Sequence, residues 1–247
     1  MKLARILLLL LAFAALGPLR LLNVARASES LNPSTELTQD AKTQKDQKLV
    51  YADFETVQDN RPVSSRGGQV QLQAYSERPT MPSHYKGAGT TDAPELVRLS
   101  KESPSRAITF EYEMQGLNQY AGVSVVVHGQ ADKDGKPVPD DVSAYKYLSL
   151  QIYVTGVTDM SAEFMSNGQG LDANGYPQMT FRVNNKGFNT YLIQLSNLNQ
   201  QSWAQPRLSA KDVLKKLTAI KIGVSCNNCQ TTKGTVVIDN MVFQNEK

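Results

Sequence analysis

Between residues 147 and 195 apolar side chains return at every second position, in runs too short for anything but strands. Leu148, Leu150, Ile152 and Val154 alternate with Ser149, Gln151 and Tyr153. Met179, Phe181 and Val183 alternate with Thr180 and Arg182, and Tyr191, Ile193 and Leu195 alternate with Leu192 and Gln194. A period of two sets one face of a strand on a core and leaves the other free. Similar runs occupy residues 49–54, 69–75, 107–114, 120–128, 161–165, 217–224 and 235–243. Turn-forming residues separate them, as at Asp132-Lys133-Asp134-Gly135, Asn167-Gly168 and Asn174-Gly175. One segment, residues 210–216, reads as a helix, with Ser209 as its N-cap, Asp212 at capping-box spacing and Lys215 and Lys216 at its C-terminal end. This pattern predicts an all-β domain: an antiparallel two-sheet β-sandwich with one short helix.

Ahead of the strands lies a different kind of chain. Lys2 and Arg5 precede the apolar run 6–16, which has the length of a signal-peptide core and is too short for a bilayer. Ala25-Arg26-Ala27 is a small-x-small site, so residues 1–27 read as a signal peptide cleaved after Ala27. An uncleaved anchor is the alternative. The expected location is secreted or periplasmic, and the cleaved protein is not membrane-embedded. Residues 28–47 are polar and read as a disordered tether, because they cannot bury enough apolar surface to offset the entropy of ordering. The domain then spans 48–247.

The net charge of +3 comes from the leader, where Lys2, Arg5, Arg20 and Arg26 meet no acid. Residues 28–247 carry 22 basic and 23 acidic side chains, which leaves no electrostatic case for nucleic acid. The cysteines, Cys226 and Cys229, favour a disulfide in an oxidising compartment. A redox pair normally opens a helix, and these follow a strand-like run; a zinc site would need two more ligands. His84, in a loop, and His128, at a strand end, are the two histidines, and neither sits in a nucleophile or metal motif. The acid pairs Asp140-Asp141 and Glu111/Glu113 could serve a polysaccharide hydrolase or lyase, but acids in turns or on outer strand faces are more often just solvated. The reading is therefore of a binding domain, not an enzyme.

Several segments carry a resemblance. Residues 50–55 (Val-Tyr-Ala-Asp-Phe-Glu), 142–150 (Val-Ser-Ala-Tyr-Lys-Tyr-Leu-Ser-Leu), 189–195, 217–223 and 236–243 (Val-Val-Ile-Asp-Asn-Met-Val-Phe) resemble, in order and spacing, strands of galactose-binding-like jelly rolls. The families most similar are bacterial carbohydrate-binding modules and the complex I intermediate-associated protein family. The resemblance implies a jelly-roll fold and a calcium ion tying the first strand to the last, with carboxylates at Asp53, Glu55 and Asp239. Acids at alternate strand positions point the same way, and calcium takes several oxygen ligands. It also implies a polysaccharide or glycan partner, or an envelope protein partner if the domain serves assembly. A sugar needs an aromatic surface with a few polar groups. By alternation Gln151, Tyr153, Arg182 and Gln194 face outward and would form one patch if their strands are neighbours. Trp203, in a polar loop, would form its rim or else plug the end of the sandwich.

Overall fold

A computed structural model describes residues 48–76, 84–86, 92–101 and 104–247. The signal peptide and the tether read from residues 1–47 lie outside the described residues. Among those described, no helix is long and apolar enough to cross a membrane.

The strands are β1 (Leu49–Ala52), β2 (Val57–Gln58), β3 (Arg61–Pro62), β4 (Val70–Ser76), β5 (His84–Lys86), β6 (Glu95–Arg98), β7 (Arg106–Val126), β8 (Tyr147–Val154), β9 (Asp159–Met165), β10 (Gln178–Arg182), β11 (Asn189–Gln194) and β12 (Ala219–Gln244). One short helix, α1 (Ala210–Lys215), precedes β12. The all-β sandwich with one short helix is therefore what the chain forms. β2 and β3 make a separate hairpin, and all other strands belong to one connected network.

That network has two layers because its two central strands are long and shared. β7 and β12 pair antiparallel along nearly their whole lengths, from Ala219 opposite Val126 to Ile238 opposite Ile108. The C-terminal half of β7 and the N-terminal half of β12 lie in layer A, whose strand order is β10-β9-β12-β7-β4. Their other halves lie in layer B, where β12 pairs with β8, β8 with β11, and β7 with β5 and β6. β1 joins the end of β12, with Leu49 opposite Phe243. Alternation in the sequence divides each long strand into two. The interruption is a corner rather than an end: Gly116 and Asn118 have φ of 97° and 48°, and the register shifts between Cys229 and Thr232, yet pairing resumes beyond it. Cys226 and Cys229 form a disulfide at this corner, with Cα atoms 5.8 Å apart.

The alternating residues meet between the layers. Leu148, Leu150, Ile152 and Val154 of layer B and Ile220, Ile222, Val224 and Phe164 of layer A are fully buried in one cluster with Phe54, Phe110 and Phe243. Each such side chain contributes roughly 1.5–3 kcal/mol of burial. Two local expectations are corrected. Ser209 precedes α1 in extended conformation but its hydroxyl makes no cap, and Asp212 lies 4.0 Å from Lys215 instead of closing a capping box. His84 begins β5, opposite Glu113, where a loop was expected.

Candidate functional site

The register of layer A lays out its outer face row by row. Gln73, Gly122, Gly223, Ser161 and Thr180 stand side by side on five successive strands. Two residues along in one direction come Gln71, Ser124, Lys221, Glu163 and Gln178. In the other direction come Tyr75, Tyr120 and Ser225, and in the same row Asp159 opposite Arg182.

The centre of this face is an aromatic platform. Tyr120 lies down over the two glycines: a Cβ at Gly122 would stand 2.3 Å from its hydroxyl oxygen, and one at Gly223 would stand 2.7 Å from its ring carbons. Glycine within a strand marks such a close approach. The Tyr120 hydroxyl is buried without a hydrogen-bond partner among the described residues, and its pKa is raised by burial and then by the charge of Glu163. Tyr75 sits beside it on edge strand β4 and is 59% exposed. Glu163 Oε2 lies 3.5 Å from Lys221 Nζ, and Glu163 Oε1 accepts the Tyr176 N–H at 2.9 Å. The face thus offers two adjacent aromatic rings beside a row of amide, hydroxyl, ammonium and carboxylate groups.

The expected patch is divided between the layers. Gln151 and Tyr153 on β8 and Gln194 on β11 lie in layer B, whereas Arg182 on β10 pairs with β9 in layer A. Alternation fixes which way a side chain points but not which strands are neighbours. Gln151 accepts a hydrogen bond from Asn240 at 3.2 Å, and Gln194 bonds Ser196 at 3.0 Å. Arg182 is exposed and shares the row of Tyr75 and Tyr120. Trp203 rests against Gly175, near the start of β10, and is 63% exposed, so it does not plug the sandwich. Tyr75, Tyr120 and the two glycines were not singled out from the sequence. Gly122 and Gly223, each inside a valine- and isoleucine-rich run, are the signal that would have found them.

The charges of Asp53 and Glu55 bear on Asp239, though the three acids do not gather into a metal cage among the described residues. β1 ends at Ala52 and Phe54 has φ of 56°, so Asp53 and Glu55 do not share a strand face. A turn joins them, with the Glu55 N–H donating to Asp53 Oδ1 at 3.2 Å. Glu55 Oε1 accepts the Arg106 N–H at 2.7 Å. Asp239 is fully buried and accepts from the Asn240 N–H at 2.7 Å and from the Ser105 hydroxyl at 3.5 Å. Its pKa is pushed from 3.8 up to about 6, chiefly by burial; the Asn240 N–H works against this, the charge of Glu55 with it, the Ser105 hydroxyl against and Asp53 with it. Among the described residues, no three His, Cys, Asp or Glu side chains form a ready metal cage. The donor chemistry still suits a hard cation, since burial and two neighbouring acids bear on Asp239 and no lysine or arginine pairs with any of the three acids among the described residues.

A pH effect follows from Asp239. A carboxyl with its pKa raised in the folded state holds its proton more tightly there, so its contribution is complete below its unfolded pKa and is lost as pH rises through about 6. In metal-free buffer, urea denaturation is expected to show Asp239→Asn gaining stability relative to the parent between pH 4 and pH 7, on the order of 3 kcal/mol. A difference that stays constant over that range would contradict this.

Among other titratable groups, His128 Nε2 lies 3.2 Å from Asp140 Oδ1, which also takes Arg66, so this histidine belongs to a clasp between loops. Asp141 Oδ1 accepts from the Ser143 N–H at 2.9 Å.

No known protein family matches the chain by sequence, and no curated protein does either. Solved structures do. The fold is similar to that of a carbohydrate-binding module. The family 11 module of a cellulosomal cellulase of Clostridium thermocellum aligns at 13% identity with a TM-score of 0.51, over 81% of this chain and 95% of the module. A family 11 module from the same organism, in complex with a β-1,3-1,4-mixed-linked tetrasaccharide, aligns at 14% identity and TM-score 0.49 over 80% and 95%. An exo-β-agarase structure aligns at 17% identity and TM-score 0.41, over 81% of this chain and 25% of the enzyme. The first of these supports the sandwich fold; the likeness to the complex I intermediate-associated protein family stands on the sequence motifs alone.

Proposed function

We propose that this chain is an exported, non-catalytic carbohydrate-binding domain that takes a glycan on the outer face of layer A. The observation that carries the reading is the half-buried Tyr120 packed over Gly122 and Gly223 with the exposed Tyr75 beside it. Flat aromatic surface suits the apolar face of a pyranose ring, and the row from Gln71 to Gln178 supplies donors and acceptors for hydroxyls. The fold shared with a family 11 carbohydrate-binding module supports the same conclusion. Arg182 stands at the far end of the tyrosine row and Trp203 at the rim beyond β10, so both remain candidates on this face. Gln151, Tyr153 and Gln194 lie outside it. The disulfide supports an oxidising compartment outside the cytoplasm. The experiment is binding of residues 28–247 to an array of neutral and acidic glycans. Selective retention is expected; absence of binding by folded protein would overturn the reading.

We also propose a structural calcium ion held by Asp53, Glu55 and Asp239. The burial of Asp239 next to two acids supports this. Calcium would supply the opposite charge the three lack. Thermal melts at neutral pH should shift upward with calcium over chelator, by the equivalent of ~3 kcal/mol at a hundredfold excess over Kd. Asp239→Asn should abolish the shift. Identical melts of the parent with calcium and with chelator would rule the ion out.

A further inference from the structure

Away from layer A, a groove of about 550 Å³ opens between the start of β8, the turn after β11 and α1. It is lined by Tyr145, Lys146, Tyr147, Gln194, Ser209 and Lys211, and among the described residues no carboxylate lines it. Neither lysine forms an ion pair among the described residues. The acids nearest in sequence are otherwise engaged: Asp141 accepts from Ser143, and Asp212 lies 4.0 Å from Lys215. The Ser209 hydroxyl makes no cap to α1 and so is not consumed by the helix. Tyr145 is braced at 5.9 Å against the buried Phe243, which fixes one wall. The groove therefore combines a size suited to a small ligand, two aromatic walls and two lysines without an ion pair among the described residues.

We propose that this groove is a second site, for an anionic saccharide: a sugar bearing a carboxylate or a sulfate. Lys146 and Lys211 meet the anion, Tyr145 and Tyr147 flank the ring, and Gln194 and Ser209 bond its hydroxyls. The class of ligand rests on the saccharide reading above, but the site does not share a residue with the tyrosine platform.

The test is calorimetric titration of residues 28–247 with trigalacturonate, with a sulfated oligosaccharide and with a neutral trisaccharide at low salt. The expected result is binding of at least one anionic sugar, weakened by added salt. The Lys146→Ala/Lys211→Ala variant should lose at least tenfold in affinity, and Tyr75→Ala should leave it unchanged. Preference for trigalacturonate would identify a carboxylate site, and preference for the sulfated sugar a sulfate site. No binding of either anion, or equal binding of the neutral sugar that survives the lysine variant, would overturn the proposal. Loss on Tyr75→Ala alone would move the anion to layer A and equally reject this groove. A platform that fails to bind neutral glycans while the groove titrates normally would reject only the earlier reading.

Discussion

Replacing both Tyr75 and Tyr120 with alanine is expected to reduce glycan binding on layer A by at least about a hundredfold, or ~2.7 kcal/mol. Buried and half-buried aromatic anchors dominate the energetics of binding surfaces. Here the two rings sit at paired positions on adjacent strands, so a single sugar chain crossing the strands would meet both. The single variants separate folding from binding. Tyr75 is 59% exposed, and Tyr75→Ala should weaken binding about tenfold with little change in melting temperature. Tyr120→Ala exposes the backbone of β7 and β12 over which the ring lies, so it should lose both affinity and some stability. Affinity electrophoresis against a glycan selected on the array, with a denaturation curve for each variant, reads both. Unchanged affinity in the double variant would remove the platform from any role.

Filling the space beneath the ring is the complementary experiment. A Cβ at Gly122 would lie 2.3 Å from the Tyr120 hydroxyl oxygen and 2.5 Å from the carbonyl oxygen of Ile222. One at Gly223 would lie 2.6 Å from the carbonyl oxygen of Ala121. The ring can swing away, but the two backbones are held in the central pairing of the sandwich. Gly122→Val should therefore cost about 3 kcal/mol or more, at the upper end of overpacking, and displace the ring as well. Gly223→Ala, the smaller addition, meets the Ala121 carbonyl in the same way and should cost stability as well as weaken glycan binding. Urea denaturation and the same binding assay check both. Parent-like stability in Gly122→Val would mean that the strands do not approach as closely as the structure shows.

Much of this architecture was legible because alternation is a local signal. Leu148, Leu150, Ile152 and Val154 announce a half-buried strand, and all four are fully buried. What alternation omits is pairing. Arg182 and Tyr153 both point outward, yet they stand on different layers, because strand partners are chosen over separations of tens of residues. The continuous β7 and β12 were hidden for another reason: Gly116 and Asn118 look like a turn, and they do bend the chain, but pairing continues across the bend. Asp53 and Glu55 show the opposite case. Their spacing predicts strand geometry, while the left-handed Phe54 puts them in a turn. Their charges nonetheless bear on Asp239, since β1 joins the end of β12 next to it. The platform itself was readable from glycines inside apolar strands, a signal of close approach that outward-facing polar residues do not provide.

The most direct measurement is an NMR titration of isotopically labelled 28–247 with the neutral glycan that binds best on the array, following backbone amide shifts. The account predicts the largest changes in the strands of layer A, at Gln73, Tyr75, Gly122, Lys221 and Gly223, with no change along β8 and β11. Changes confined to layer B or to the α1 groove, with layer A silent, would contradict it.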